Sequence, residues 1–63
     1  MYVELCWRTK ETEEGKMHVS RRMPVKEAMA IYKKEIEPYA IKAYLRHFDG
    51  WHRNLYKTLK EEG

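Results

Sequence analysis

Residues 41–59 have the sequence IKAYLRHFDGWHRNLYKTL, and they decide the fold because two secondary structures fit them. With a period of two, Ile41, Ala43 and Leu45 share one face, and Asp49-Gly50 supplies the positive φ angles of a two-residue hairpin turn. With a period of 3.6, the apolar residues form two helical stripes: Ile41, Tyr44, Leu45 and Phe48, then Trp51, Leu55 and Leu59. The turn lies between two aromatic residues, which favours the hairpin.

The N-terminal residues predict a second hairpin. Residues 2–9 alternate between apolar and polar side chains, which is typical of a half-buried strand. After a polar stretch, the apolar side continues at Met17, Val19 and Met23. The register that we expect pairs Val3 with Met23 and Trp7 with Val19. This register places Arg21 on the apolar side, so we expect either a bulge that redirects Arg21 or a frayed strand.

A helix connects the two hairpins. Pro24 suits the first helical position, where its missing N–H has no intrahelical partner. The apolar residues that follow lie on one helical face: Val25, Ala28, Met29, Tyr32 and Ile36. Pro38 disfavours helical geometry in the residue before it, so the helix should end near Ile36. The sequence therefore predicts one α+β domain over residues 1–63, a ββαββ arrangement with one helix on one face of an antiparallel sheet. The alternative is an N-terminal hairpin followed by three helices.

Composition limits the function classes. A chain of 63 residues buries only about 60% of the surface that its unfolded form exposes, so we expect marginal stability that a homodimer or higher homo-oligomer would improve. The single cysteine, Cys6, cannot form an internal disulfide, which favours a cytoplasmic location. Charged residues interrupt every apolar segment, so we expect no membrane span. Residues 37–60 hold five basic and two acidic side chains, which places the positive charge in the last third of the chain.

The predicted C-terminal hairpin supplies the candidate ligand site. A two-residue turn places residues whose numbers add up to 99 opposite each other, so Arg46 would face Arg53 and Lys42 would face Lys57. Like charges in such positions are destabilising, and an anion between them would offset the cost. Phosphate suits the basic side chains, and an aromatic ring could stack on a base. The predicted ligand-binding residues are Lys42, Tyr44, Arg46, Phe48, Trp51, Arg53 and Lys57.

Two other interpretations of this basic and aromatic face stay open. In the first, the long basic side chains spread into solvent and cover the aromatic rings with their aliphatic parts, and no ligand binds. In the second, a protein partner covers the aromatic side chains, because contiguous exposed apolar patches are rare in monomeric proteins. That partner could be a second copy of the chain, or a host protein inhibited by a phage-encoded binding protein. The leading hypothesis is a nucleotide or a single-stranded nucleic acid.

The sequence gives little support to metal binding or catalysis. His47 and His52 would be cross-strand neighbours, with Cys6 or His18 as further candidates, but no characteristic metal-ligand spacing is present. Cys6 on a strand lacks a base or helix N-terminus that would activate a thiolate. The phosphate-binding and nucleophile motifs rich in glycine are also missing from the sequence. We therefore expect no metal, no cofactor and no enzymatic activity.

Overall fold

A computed structural model describes residues 2–48 and 54–61. In these residues five strands form one antiparallel sheet with the order β2-β1-β4-β5, and β3 also pairs with β1. The strands are β1 (Tyr2–Thr9), β2 (His18–Val19), β3 (Met23–Pro24), β4 (Ala40–Phe48) and β5 (Asn54–Lys60), and helix α1 (Val25–Ile31) is continued by a π-helical segment (Tyr32–Ile36). The predicted ββαββ arrangement is confirmed, and the three-helix alternative is wrong. None of the helices in the described part is long and apolar enough to cross a membrane.

The helical segment follows the sequence prediction closely. Pro24, with φ −59° and ψ 147°, is the N-cap rather than the first helical residue. The segment ends at Ile36, where the N–H of Glu37 donates a 2.7 Å hydrogen bond to the carbonyl of Tyr32 in the i to i+5 pattern. Pro38 follows directly and has no N–H with which to continue the helix.

The core lies between the helix and one face of the sheet. Eight buried residues form it: Val3, Leu5, Met23, Ala28, Tyr32, Ala40, Ala43 and Leu45. The predicted helical face is confirmed, because Ala28 and Tyr32 belong to this cluster and the other three residues of the face pack against it. Strands β1 and β4 are neighbours at the centre of the sheet, which explains why most of the buried strand residues come from these two.

The N-terminal strands contain the irregularity that Arg21 indicated. Val3 pairs with Met23 as expected, but Cys6 rather than Trp7 pairs with Val19. The register changes by one because three residues, 20–22, lie opposite two residues of β1, which is the arrangement of a β-bulge. The bulge places Arg21 in solvent, 2.7 Å from the carboxylate of Glu27. It also overturns the expected burial of Val19, which is 49% exposed.

Ser20 replaces the backbone partner that the bulge removes. Its hydroxyl accepts a 2.9 Å hydrogen bond from the N–H of Leu5, and its own N–H donates to the Leu5 carbonyl at 2.8 Å. We expect Ser20→Ala to lower the free energy of unfolding by about 1–3 kcal/mol, because the Leu5 N–H would lose its acceptor beside the core. Urea denaturation followed by circular dichroism measures this loss. Ser20→Thr keeps the hydroxyl and is the matched control; equal stability of Ser20→Ala and the parent protein would contradict the assignment.

Strands β4 and β5 pair as predicted in orientation but not in register. Phe48 pairs with Asn54 and Leu45 with Lys57, so from Tyr44 to Phe48 the paired residue numbers add up to 102 rather than 99. The expected cross-strand pairs are therefore wrong, namely Lys42 with Lys57, Tyr44 with Leu55, Arg46 with Arg53 and Phe48 with Trp51. The physical reason is burial, since the observed register brings Leu59 to the helix side, where it packs against the core. The predicted Asp49-Gly50 turn lies outside the described residues.

Candidate ligand-binding face

The sheet has two chemically different faces because side chains alternate along each strand. One face packs against the helix and carries Val3, Leu5 and Leu45. The other, which we call the outer face, carries the residues between them. Its described members are Tyr2, Glu4, Cys6 and Arg8 on β1, Val19 on β2, Lys42, Tyr44 and Arg46 on β4, and Thr58 on β5.

The seven predicted ligand-binding residues do not all lie together. Lys42, Tyr44 and Arg46 occupy alternate positions of β4 on the outer face. Lys57 is exposed but pairs with Leu45, so it lies on the helix side of the sheet. Phe48 is the last residue of β4, and Trp51 and Arg53 lie outside the described residues. The structure thus brings together three of the residues and separates Lys57 from them, while the ligand-binding role of all seven stays a prediction.

A different pair of basic residues lies opposite each other on the outer face. Arg8 of β1 is the cross-strand partner of Lys42, and Lys42 is exposed whereas Arg8 is half-buried. Residues in such a pair have Cβ atoms about 4.5–5.5 Å apart, so like charges are destabilising there. Sequence reasoning missed Arg8. Its alternation with Trp7 placed it on the outer side of β1, but only the contact between β1 and β4 makes it a neighbour of Lys42.

Arg46 is held by a carboxylate. Its Nε donates a 3.0 Å hydrogen bond to Oε1 of Glu4, and a terminal guanidinium nitrogen lies 3.0 Å from the same oxygen. The Arg46 and Glu4 side chains are only 29% and 20% exposed. Glu4 faces Arg46 directly across the β1–β4 ladder, so this pair connects the two central strands. Arg46 therefore has a structural role that the sequence did not indicate.

Cys6 lies on the outer face but is only 1% exposed. It is placed between Val19 on β2 and Tyr44 on β4, both of which have larger side chains. Burial raises the pKa of the Cys6 thiol, and the nearby charge of Arg46 and a hydrogen bond with Tyr44 oppose this only in part. A buried thiol with a raised pKa is a poor nucleophile at neutral pH.

His18 and His47 lie in different environments. His18 stacks on Trp7, with ring centroids 5.2 Å apart and an interplanar angle of 29°. Its Nε2 lies 3.1 Å from the hydroxyl of Thr12, which also accepts a hydrogen bond from the N–H of Thr9. His47 pairs with Val3 on the helix side of the sheet, away from Cys6. Within residues 2–48 and 54–61, no group of three or more His, Cys, Asp or Glu side chains is placed to hold a metal ion; His52 lies outside the described residues.

Comparison with known proteins assigns no function to the outer face. No family model, no curated protein and no solved structure matches the chain.

Proposed function

We propose that this chain is a small non-enzymatic binding protein that holds a phosphate-bearing ligand, a nucleotide or a single-stranded nucleic acid, on the outer face of its sheet. The observation that carries the proposal is the position of Lys42, which is exposed on the outer face, directly opposite Arg8 and two residues before Tyr44. An anion bound beside Lys42 would be attracted by the positive charge of both side chains. Arg supplies a fork of donors and Lys a point charge, which together suit phosphate oxygens.

Tyr44 supports the same proposal. It is next to Lys42 on the outer face and two strand positions along β4, about 7 Å away. An aromatic ring at this distance from a phosphate site suits the base or ribose of a nucleotide, because bases stack on aromatic side chains without sequence preference.

Reversing the charge of Lys42 tests the proposal. We expect Lys42→Glu to raise the dissociation constant for a fluorescently labelled adenine nucleotide or a labelled single-stranded oligonucleotide about tenfold or more, because a charge-assisted contact is lost and a repulsion is added. Fluorescence anisotropy titrations measure the constant.

Lys33→Glu is the matched control. Lys33 is exposed on the π-helical segment, on the other side of the sheet, and its reversal changes the net charge by the same amount. We expect near-parental binding from this variant. Equal weakening by both variants would show that only net charge matters, and failure of the parent protein to bind either probe would reject the proposal.

One observation favours the alternative function, a binding protein or inhibitor that covers a host protein or a second copy of this chain. Tyr2 and Val19 are 59% and 49% exposed, and both lie on the outer face. Exposed apolar side chains on one face are typical of protein interfaces. A protein contact would tolerate salt and depend on these apolar residues, whereas phosphate binding would weaken with salt and depend on Lys42.

A further inference from the structure

Glu61 lies beside Lys42 at one end of the sheet. Strand β5 ends at Lys60, which pairs with Ala43 on the helix side of the sheet. Continued by one residue, this antiparallel register places Glu61 opposite Lys42, and side-chain alternation puts Glu61 at the border of the outer face. Cross-strand neighbours have Cβ atoms about 4.5–5.5 Å apart, so an amine and a carboxylate flank the same small area.

Both charged groups are accessible to a ligand. Lys42 and Glu61 are exposed, and neither forms an ion pair within the part of the chain that the structure describes. Glu4, by contrast, is half-buried and holds Arg46 through its Oε1. Of these two carboxylates, Glu61 is therefore the one that can accept a hydrogen bond from a ligand without breaking a contact of the sheet.

An aromatic ring and a hydroxyl lie next to this charged pair. Tyr44 and Thr58 face each other across β4 and β5, adjacent to Lys42 and Glu61 on the same face, and Thr58 is exposed. On β4 the four side chains thus offer a cation and a ring. On the β5 side they offer a hydroxyl and a carboxylate, both of which accept hydrogen bonds.

The geometry points to a ribonucleotide, rather than a deoxyribonucleotide, as the ligand of this face, with its phosphate at Lys42 and its ribose 2′-hydroxyl donating to the Glu61 carboxylate. This inference rests on the proposed function, because it specifies the sugar of the same ligand. Glu61 repels a phosphate, which therefore binds on the side of Lys42 away from β5, whereas sugar hydroxyls are donors that a carboxylate accepts. An acidic residue recognises the ribose 2′-hydroxyl in the same way in dinucleotide-binding folds.

Isothermal titration calorimetry with two matched pairs of probes tests the inference. The first pair is adenosine 5′-monophosphate and its 2′-deoxy form, and the second is a ten-residue oligoadenylate made of RNA or of DNA. In each pair that binds, we expect the ribose form to bind about tenfold or more tightly than the deoxyribose form, because a hydrogen bond to a charged group is lost with the 2′-hydroxyl. Glu61→Ala should reduce this difference to about twofold or less.

Glu35→Ala is the matched control. Glu35 is exposed on the π-helical segment, on the other side of the sheet, and its replacement changes the net charge by the same amount. We expect this variant to keep the full preference for the ribose form.

The outcomes separate this inference from the proposed function. Equal affinity for the ribose and deoxyribose forms in the parent protein would overturn the inference, while binding that still depends on Lys42 would leave the proposed function standing. The inference also fails if Glu61→Ala binds both forms more tightly by the same factor, because Glu61 would then act only as a repelling charge. If none of the probes binds, both proposals fail.

Discussion

Replacing Leu45 with alanine is expected to cost about 2–5 kcal/mol of unfolding free energy, because the substitution removes a buried side chain and leaves a cavity. Leu45 is 1% exposed and lies at the centre of the sheet, opposite Leu5. A domain of 63 residues has a total stability of only about 3–9 kcal/mol, so the loss is a large fraction of it. Urea denaturation at 25 °C measures the change, and a thermal scan should show a variant that is partly unfolded near room temperature.

Val19→Ala is the control for this core substitution. Val19 is also an aliphatic residue on the sheet, but it is 49% exposed on the outer face. We expect its replacement to change stability by less than about 1 kcal/mol. If Val19→Ala lowers the free energy of unfolding as much as Leu45→Ala does, the N-terminal register is wrong and Val19 belongs to the core.

Replacing Glu4 with glutamine is expected to lower stability by about 1–3 kcal/mol. Arg46 would keep its positive charge in a position that is mostly shielded from water. It would lose the Glu4 carboxylate, whose Oε1 now contacts two of its guanidinium nitrogens. The measurement is again the free energy of unfolding, and a double-variant cycle with Arg46→Gln isolates the coupling between the two side chains.

Glu13→Gln provides the comparison for the ion pair. Glu13 lies 3.3 Å from the Lys16 amine, but the Glu13 and Lys16 side chains are 74% and 71% exposed. Solvent screens such a pair, so its loss should have little effect on stability, well under about 1 kcal/mol. If Glu4→Gln costs no more than Glu13→Gln, the Glu4–Arg46 pair does not stabilise the central strands.

Several features of the fold could be predicted from the sequence because they depend on neighbouring residues. The apolar spacing from Val25 to Ile36 gave the helical face, and Pro38 gave its end, since both follow from local geometry. The position of Arg21 on an otherwise apolar side predicted either a bulge or a frayed strand, and the structure has the bulge, in which one extra residue redirects the charged side chain.

The candidate site was predicted only in part. Lys42, Tyr44 and Arg46 share a face because period two alone places them there, whatever partner their strand has. The cross-strand neighbours that the sequence predicted for these three residues were wrong. The predicted register was based only on a two-residue turn. It did not take into account that Leu59 packs against a core formed by distant strands.

The sequence by itself indicated the helical segment and the side chains that share a face on β1 and β4, and it favoured strands over helices for residues 41–59. Only the tertiary structure decided that β1 lies beside β4, that Arg8 faces Lys42 and that Glu4 holds Arg46. The physical reason is that side-chain alternation is a property of one strand, whereas register is determined by the burial of several strands at once. A shift by an odd number of residues moves a whole strand's side chains to the opposite face, and here it moved Lys57 away from the outer face.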